Sequence, residues 1–265
     1  SEFSAAVIVD AGSDATVCGN DTIQFNGSVS GGAQQGFWSS TGNGTFIPDE
    51  YDLNASYIPS LNDEANGSVI ITLESIGSCA PETDQLTLTV TPTPTIDLGP
   101  ALDACSNNPT VVLTAATTVA TSAFWYGGAG VFSPSNIGLN VSYTPTAGEV
   151  TSGSLTLYAR SAGMGTCNSV TDSVIITFTP SPTVNAGADK SVCANNAELL
   201  LNGNVTVATG GTWSGGSGLF NPNQNALNVI YTPTAAEIAN GSLVLTLSST
   251  GNNNCNVVSD QITIT

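Results

Sequence analysis

The chain has 265 residues, of which 20 are acidic and only two, Arg160 and Lys190, are basic, so its formal net charge at pH 7 is −18. Binding to nucleic acid or to an anionic membrane surface depends on Lys and Arg side chains, so this composition excludes nucleic acid and disfavours an anionic membrane surface. Hydrophobic residues make up 40% of the sequence, which is enough for a folded core, and no apolar run is long enough to span a membrane.

The residue types predict an all-β chain. Thr, Ser, Asn, Gly, Val and Leu dominate the sequence, and these residues favour short strands and tight turns. No 15-residue window has the periodicity of a good amphipathic helix. The first three residues, Ser1 to Phe3, resemble a cloning remnant and are left out of the fold prediction.

Taken in chain order, the predicted elements occur three times with a period of 87 or 88 residues. Each unit has a first cysteine, a tryptophan 20 residues later, and then a strand with the pattern Leu-Asn-x-x-Tyr-x-Pro, at residues 53–59, 139–145 and 227–233. A glutamate (Glu64, Glu149 or Glu237) and a Gly-Ser turn lead into a hydrophobic strand, and a second cysteine and an aspartate (Asp84, Asp172 or Asp260) precede the last strand.

Two proline-rich segments separate the units. Residues 91–95 read TPTPT and residues 179–183 read TPSPT, and alternating proline favours an extended, stiff connection over a central strand. We therefore predict three domains, at residues 1–92, 93–180 and 181–265. A period of this length allows each unit to enclose its own core of six or seven strands, so the prediction is three tandem immunoglobulin-like β-sandwich domains in an extended rod.

The six cysteines fall two to a repeat at recurring positions, which predicts three disulfides within repeats: Cys18–Cys79, Cys105–Cys167 and Cys193–Cys255. Pairing between repeats is the alternative, but it would leave the end units without a partner. Zinc binding is excluded because the chain has no Cys-x-x-Cys motif and no histidine. Disulfides indicate an oxidising compartment outside the cytosol.

Several segments resemble PKD domains. Residues 9–17 (VDAGSDATV) and 184–192 (VNAGADKSV) are similar to the opening strand of that family, and residues 25–28 (FNGS) and 201–204 (LNGN) to its next strand. Residues 38–44 (WSSTGNG) and 213–218 (WSGGSG) resemble its tryptophan strand and the Gly-rich turn that follows. The cysteine pair in each repeat departs from ordinary PKD domains and resembles the PKD-like repeats of SprB-type gliding-motility adhesins.

The resemblance implies a structural role: stalk repeats of a large secreted adhesin on the bacterial cell surface, which support adhesion or gliding. The implied partners are neighbouring repeats of the same protein, and the chain is expected to be monomeric. An enzyme is not expected, because the sequence has no histidine and its cysteines are assigned to disulfides. The alternative function is a carbohydrate-binding module assisted by calcium.

Calcium is the one cofactor that the composition suggests, since it binds oxygen ligands and the chain is rich in Asp and Asn. The candidate ligands are acids near strand ends: Asp10, Asp14, Asp49, Asp52, Asp84, Asp97, Asp172, Asp189 and Asp260. Solvated surface charge is the alternative explanation for all of them. For Asp84, Asp172 and Asp260, together with Glu64, Glu149 and Glu237, a further alternative is that the carboxylate accepts backbone N–H bonds and holds a turn.

The aromatic residues divide into core and surface sets. The tryptophan in the same strand of every repeat is predicted to be a core residue, as in immunoglobulin domains. Because side chains alternate along a strand, Phe124 and Tyr126 point away from the core on either side of Trp125. They are the candidate ligand contacts, and a polysaccharide is the candidate ligand.

Overall fold

The computed structural model describes residues 5–78 and 80–265, so Ser1 to Phe3 and Cys79 lie outside the described residues. It confirms the all-β prediction, with three β-sandwich repeats in tandem. Repeat 1 contains β1 (Ile8–Asp10), β2 (Ala15–Cys18), β3 (Ile23–Gln24), β4 (Ser28–Ser30), β5 (Gln35–Ser40), β6 (Thr45–Ile47), β7 (Ser56–Ile58), α1 (Leu61–Asn66), β8 (Ser68–Ile76) and β9 (Thr83–Thr91).

The other two repeats follow the same order. Repeat 2 contains β10 (Thr95–Asp97), β11 (Leu102–Cys105), β12 (Val111–Thr114), β13 (Ala116–Thr118), β14 (Ser122–Tyr126), β15 (Val131–Ser133), β16 (Asn140–Thr144), α2 (Ala147–Thr151), β17 (Ser154–Ala162) and β18 (Thr171–Thr179). Repeat 3 contains β19 (Thr183–Asn185), β20 (Leu199–Asn202), β21 (Asn204–Thr206), β22 (Gly210–Ser214), β23 (Leu219–Asn221), β24 (Asn228–Thr232), α3 (Ala235–Asn240), β25 (Leu243–Thr250) and β26 (Ser259–Ile264).

Each sandwich has one long sheet and one short sheet. In repeat 1 the long sheet has the order β2-β9-β8-β5, in which β2 runs parallel to β9, and β3-β7-β6 forms the short sheet. The opening strand β1 pairs with β4 in a separate two-stranded sheet, and the chain enters the long sheet at β2. Repeat 2 has the same topology, and in repeat 3 the counterpart of β2 is reduced to a parallel bridge between Lys190 and Ile264.

The three repeats have separate hydrophobic cores, each built around its tryptophan. Trp38, Trp125 and Trp213 are at most 1% exposed, which confirms their prediction as core residues. Each indole N–H donates to a backbone carbonyl 13 or 14 residues further along the chain, so the polar atom of the ring is satisfied inside the core.

A short helix before the penultimate strand of each repeat is a feature that the sequence analysis missed, since it predicted only a turn there. The helices are five or six residues long, too short to give an amphipathic period. Their signal is the capping box, in which a Ser or Thr and the acid three residues later bond each other's backbone N–H. The pairs are Ser60 with Asp63, Thr146 with Glu149, and Thr234 with Glu237.

The same acid accepts a hydrogen bond from a buried tyrosine of the preceding strand. The tyrosine Oη lies 2.8 Å from an oxygen of Asp63 in repeat 1 and of Glu149 in repeat 2, and 2.9 Å from Glu237 in repeat 3. The tyrosines are Tyr57, Tyr143 and Tyr231, all fully buried. The counterpart of Glu149 and Glu237 is therefore Asp63, and the predicted correspondence with Glu64 is wrong.

The turn after the tryptophan strand packs against the hydroxyl of this tyrosine, and this close contact requires glycine. The Gly218 N–H donates to the Tyr231 hydroxyl at 2.8 Å, and a Cβ on Gly216 would collide with the same hydroxyl. Only a residue without a side chain allows the turn to close over the ring.

Candidate functional site at the junctions between repeats

The disulfides join adjacent repeats, and the predicted pairing within repeats is wrong. Cys18 of repeat 1 is bonded to Cys167 of repeat 2, and Cys105 of repeat 2 to Cys255 of repeat 3, with Cα–Cα distances of 5.0 and 4.9 Å. In repeats 1 and 2 the first cysteine therefore bonds the second cysteine of the next repeat. The predicted Cys18–Cys79 bond also involves a residue outside the described part of the chain.

The physical reason is the position of the two cysteines in the sandwich. The first cysteine ends β2 or β11, which runs parallel to the last strand of its repeat, so Cys18 lies beside Thr91 and Cys105 beside Thr179, where the proline linkers begin. The second cysteine lies in the loop between the last two strands. A disulfide needs Cα atoms within about 7 Å, and this distance is reached across the junction.

A pair of asparagines reinforces each disulfide. Asn20, two residues after Cys18, exchanges three hydrogen bonds with Asn168, the residue after Cys167, at 2.9, 3.0 and 3.3 Å. Asn107 and Asn256 make the same three bonds at the second junction, at 2.7, 3.0 and 3.2 Å. In both pairs the side chains bond the partner's backbone, so the two loops are fixed in register.

Further contacts tie the linker to the repeat that it leaves. The Glu64 carboxylate accepts bonds from the Thr93 N–H at 2.7 Å and the Thr93 hydroxyl at 2.9 Å. At the second junction the Ser106 hydroxyl accepts from the Ser181 N–H at 2.8 Å. Glu64 is therefore a junction residue of repeat 1, and the acid that accepts the hydrogen bond of Tyr57 is Asp63.

The second junction also has two hydrogen bonds that have no counterpart among the described residues of the first. The Asn108 side chain donates to the Asn254 carbonyl at 3.0 Å, and the Asn254 side chain donates to the Asp103 carbonyl at 3.0 Å. Both bonds cross from repeat 2 to repeat 3.

Each pair of neighbouring repeats is thus connected twice, once by the linker and once by the disulfide. The disulfides span 149 and 150 residues, and closing a loop of that size is worth about 5 kcal/mol in the chain-entropy model. Two covalent connections at separate points remove most of the freedom that a single flexible linker would leave between two domains.

Cys193, the first cysteine of repeat 3, is exposed and forms no disulfide within the described part of the chain, so its predicted bond to Cys255 is wrong. Its counterparts Cys18 and Cys105 are at most 1% exposed. Cys18 and Cys105 are covered by the following repeat, to which each is bonded.

The acids predicted as calcium ligands accept backbone hydrogen bonds. The recurring aspartates hold the loop after each opening strand: Asp84 accepts from Ala11 N–H, Asp172 from Leu98 and Asp260 from Ala186, at 2.8 to 2.9 Å. Asp10, Asp14, Asp49, Asp52, Asp97 and Asp189 accept one or two such bonds each, at 2.7 to 3.2 Å. Among residues 5–78 and 80–265, no three His, Cys, Asp or Glu side chains are grouped as metal ligands.

The predicted ligand contacts Phe124 and Tyr126 belong to an aromatic row on the outer face of repeat 2. Tyr126 stacks on Phe124 at 6.1 Å and on Tyr158 of the next strand at 5.6 Å between ring centroids. The Arg160 guanidinium lies over the Phe124 ring at 5.0 Å. Tyr126 and Tyr158 are 38% and 40% exposed, and the sequence analysis did not include Tyr158 and Arg160 in this group.

Four surface depressions formed by described residues, with volumes of about 140 to 330 Å³, are each lined by a single acidic side chain. Glycoside hydrolysis uses two carboxylates that face each other. In the part of the chain that the structure covers, no helix is both long and apolar enough to cross a bilayer.

Comparison with known proteins gives tandem-domain structures. No protein-family model and no curated protein matches the sequence. A titin I-band fragment aligns over 100% of this chain and 99% of its own, with 10% identity and a TM-score of 0.43. Mouse cadherin-23 EC22–24 aligns over 98% of both chains with 12% identity and a TM-score of 0.31. Sidekick-1 immunoglobulin domains align over 100% of this chain and 59% of theirs, with 13% identity and a TM-score of 0.36.

Proposed function

We propose that this chain is a load-bearing spacer, a section of the stalk of a large bacterial surface adhesin that supports adhesion or gliding. The observation that carries the proposal is the pair of disulfides between adjacent repeats. A spacer must keep its length and direction under tension, and a second covalent connection at each junction serves that purpose. The resemblance to SprB-type repeats supports the same role.

The disulfides also support an extracellular location, because thiols in the cytosol are kept reduced. The high negative charge keeps such a chain soluble and apart from nucleic acid. The carboxylates contribute to hydrogen bonds in turns, and we propose no catalytic activity for them. We also propose that the acidic turns of repeat 1 bind calcium.

Pulling on the two ends tests the proposal. The disulfides shorten the covalent path to residues 1–18, 105–167 and 255–265, which span about 330 Å at ~3.6 Å per residue, whereas 265 residues span about 950 Å. Single-molecule force spectroscopy of the oxidised chain should therefore give a contour length about threefold shorter than that of the reduced chain.

The matched variant is Cys18→Ser/Cys167→Ser/Cys105→Ser/Cys255→Ser, which should extend to the full length without a reductant. An oxidised wild-type chain that extends as far as this variant would show that the disulfides carry no load, and the spacer proposal would fail. Cys193→Ser should leave the oxidised contour length unchanged.

The aromatic row of repeat 2 favours a second candidate function, the binding of a polysaccharide. Exposed Tyr rings present an apolar face and a hydroxyl to a ligand, and Arg160 adds hydrogen-bond donors at one end of the row. Two observations support this function. Tyr126 and Tyr158 are exposed. The two tyrosine positions hold Ser and Thr in the other repeats, Ser39 and Thr72 in repeat 1 and Ser214 and Thr246 in repeat 3.

A further inference from the structure

The two closed junctions use the same donor face, which we define as the first cysteine, the residue two positions later and the turn that joins them. In repeat 2 this face consists of Cys105, Asn107 and a turn in which the Asn108 N–H donates to the Cys105 carbonyl at 2.9 Å. In repeat 1 the turn runs from the Asp21 N–H to the Cys18 carbonyl at 3.0 Å. Both faces are covered by the next repeat.

Repeat 3 presents the same face uncovered. The Asn196 N–H donates to the Cys193 carbonyl at 2.9 Å, which is the same turn with the same spacing. Asn195 stands two residues after Cys193 and is exposed, whereas its counterparts Asn20 and Asn107 are half-buried against the next repeat. The backbone turn is thus the same as at the two closed junctions, and the cysteine and the asparagine occupy the same positions along it.

We propose that the donor face of repeat 3 is a docking site for a further repeat of the same type, which bonds covalently to Cys193 through its second cysteine. The proposal rests on the spacer function and extends it, because the row of repeats would continue by the same chemistry at every junction. At the two closed junctions the donor face binds a loop in which Asn follows the second cysteine, as in Cys167-Asn168 and Cys255-Asn256. We expect the further repeat to have the same loop.

The asparagine requirement distinguishes among second-cysteine loops. Asn168 and Asn256 each supply the backbone N–H, carbonyl and carboxamide that pair with the donor face. The second cysteine of repeat 1 is followed by Ala80, which has no carboxamide. The face of repeat 3 is therefore expected to select repeats that have a Cys-Asn loop.

Bond formation requires an electron acceptor, and a low-molecular-weight disulfide such as oxidised glutathione supplies it. The Cys193 thiolate attacks one sulfur of oxidised glutathione and releases one glutathione thiolate. The thiolate of the incoming cysteine then attacks the Cys193 sulfur and displaces the second glutathione. Two protein thiols are oxidised to one disulfide, and one glutathione disulfide is reduced to two thiols.

The experiment appends a fourth repeat to the whole chain. Thr265 aligns with Thr177, five residues after the recurring aspartate, so a second copy of residues 178–265 placed after Thr265 continues the sequence in register. In a Cys79→Ser background, oxidation in glutathione buffer and alkylation without reduction should leave one adduct per chain, on the copied Cys193. Three adducts would mean that Cys193 and the copied Cys255 did not pair.

Two further variants provide controls. Changing the copied Cys255 to Ser should raise the count from one adduct to two, because Cys193 then has no partner. A chain extended instead by residues 90–177 tests a different repeat, whose copied Cys167 should pair with Cys193 and again leave one adduct. Peptide mapping of the crosslink identifies the bonded residues in each case.

Every outcome bears on the proposal. A folded fourth repeat with Cys193 still alkylated overturns it. Circular dichroism and limited proteolysis report whether the fourth repeat folds, and failure of both appended repeats to fold behind repeat 3, although they fold behind repeats 1 and 2, also counts against it. The force measurement on the 265-residue chain does not involve Cys193, so the spacer proposal stands or falls separately.

Discussion

Asn20 and Asn168, 148 residues apart in the sequence, bond each other through both side chains and both backbones. Neither side chain belongs to a core, and each completes its hydrogen bonds with a residue of the other repeat. This pairing holds the loops of Cys18 and Cys167 in one register, so the two sulfur atoms meet without a search over many loop conformations.

We expect Asn20→Ala to weaken the Cys18–Cys167 disulfide without preventing it. The variant loses two of the three hydrogen bonds, and each contributes about 1 kcal/mol, so the equilibrium constant for oxidation by glutathione should fall about 10- to 30-fold. The measurement is the fraction of disulfide across a series of glutathione ratios. Gln224→Ala, which removes an exposed amide outside the junctions, is the control, and an equal effect in both variants would contradict the role of Asn20.

Removal of the second disulfide should destabilise the chain, whereas removal of the exposed thiol should not. Cys105→Ser/Cys255→Ser is expected to lower the free energy of unfolding by about 2–5 kcal/mol. Cys193→Ser should stay within about 0.5 kcal/mol of the wild type, as surface substitutions usually do. Urea unfolding followed by tryptophan fluorescence measures both. Equal free energies of unfolding for the wild type and the two variants would show that the disulfide between repeats 2 and 3 does not stabilise the chain.

Stability should fall at alkaline pH because of the buried tyrosines. Burial raises the pKa of Tyr143 and of Tyr231 to about 12, from 10.0 in the unfolded chain. Between about pH 10 and 12 the unfolded state therefore releases protons that the folded state retains, and the free energy of unfolding decreases with pH. Tyr231→Phe should flatten this decrease in repeat 3, as measured by urea midpoints from pH 8 to 12. An unchanged slope would contradict the assignment to Tyr231.

The carboxylates that accept hydrogen bonds from these tyrosines should affect the free energy of unfolding at acidic pH. Burial alone would raise the pKa of Glu237, but hydrogen bonds from Ser217 N–H, Thr234 N–H and the Tyr231 hydroxyl outweigh it and hold the pKa below its usual value. The stability from this group is present above the unfolded pKa, about 4.3, and is lost as pH falls through the lower, folded pKa. Glu237→Gln should remove that acid-dependent loss, and Glu74→Gln, at an exposed strand position, should keep it.

The calcium hypothesis predicts a higher melting temperature in calcium than in excess EDTA, since a ligand that binds only the folded state stabilises it. The acidic turn at Asp49 and Asp52 is the place to test it, because repeats 2 and 3 have no acid there. Asp49→Asn/Asp52→Asn should abolish a calcium-dependent rise of several degrees in the wild type. Coincident wild-type curves would leave these carboxylates as turn-forming and solvated groups.

The saccharide hypothesis predicts that repeat 2 binds polysaccharide through its aromatic row. A glycan array with the wild-type chain should show binding that Tyr126→Ala/Tyr158→Ala reduces at least tenfold. Tyr51→Ala is the matched control, because Tyr51 is 61% exposed in repeat 1 and lies outside the row. A wild-type chain that binds no glycan would leave the row as a cross-strand packing feature of the sheet.

The sequence alone determined the repeat architecture. The spacing of cysteine, tryptophan and Leu-Asn-x-x-Tyr landmarks, together with strand alternation, was sufficient to predict three sandwiches with buried Trp38, Trp125 and Trp213, because burial in a strand follows from the order of residues along it. The capping residues Thr146 and Thr234 were also visible in the sequence, although the helices they begin were too short to show a period.

Only the tertiary structure decided which cysteines meet. Two cysteines in each repeat allow pairing within or between repeats, and the sequence favoured pairing within repeats because pairing between them would leave the end units without a partner. Disulfide formation depends instead on separation in space. In the folded chain the end of β2 is brought against the loop of the following repeat, so Cys18 meets Cys167 across 149 residues, and the bonds become connections between domains.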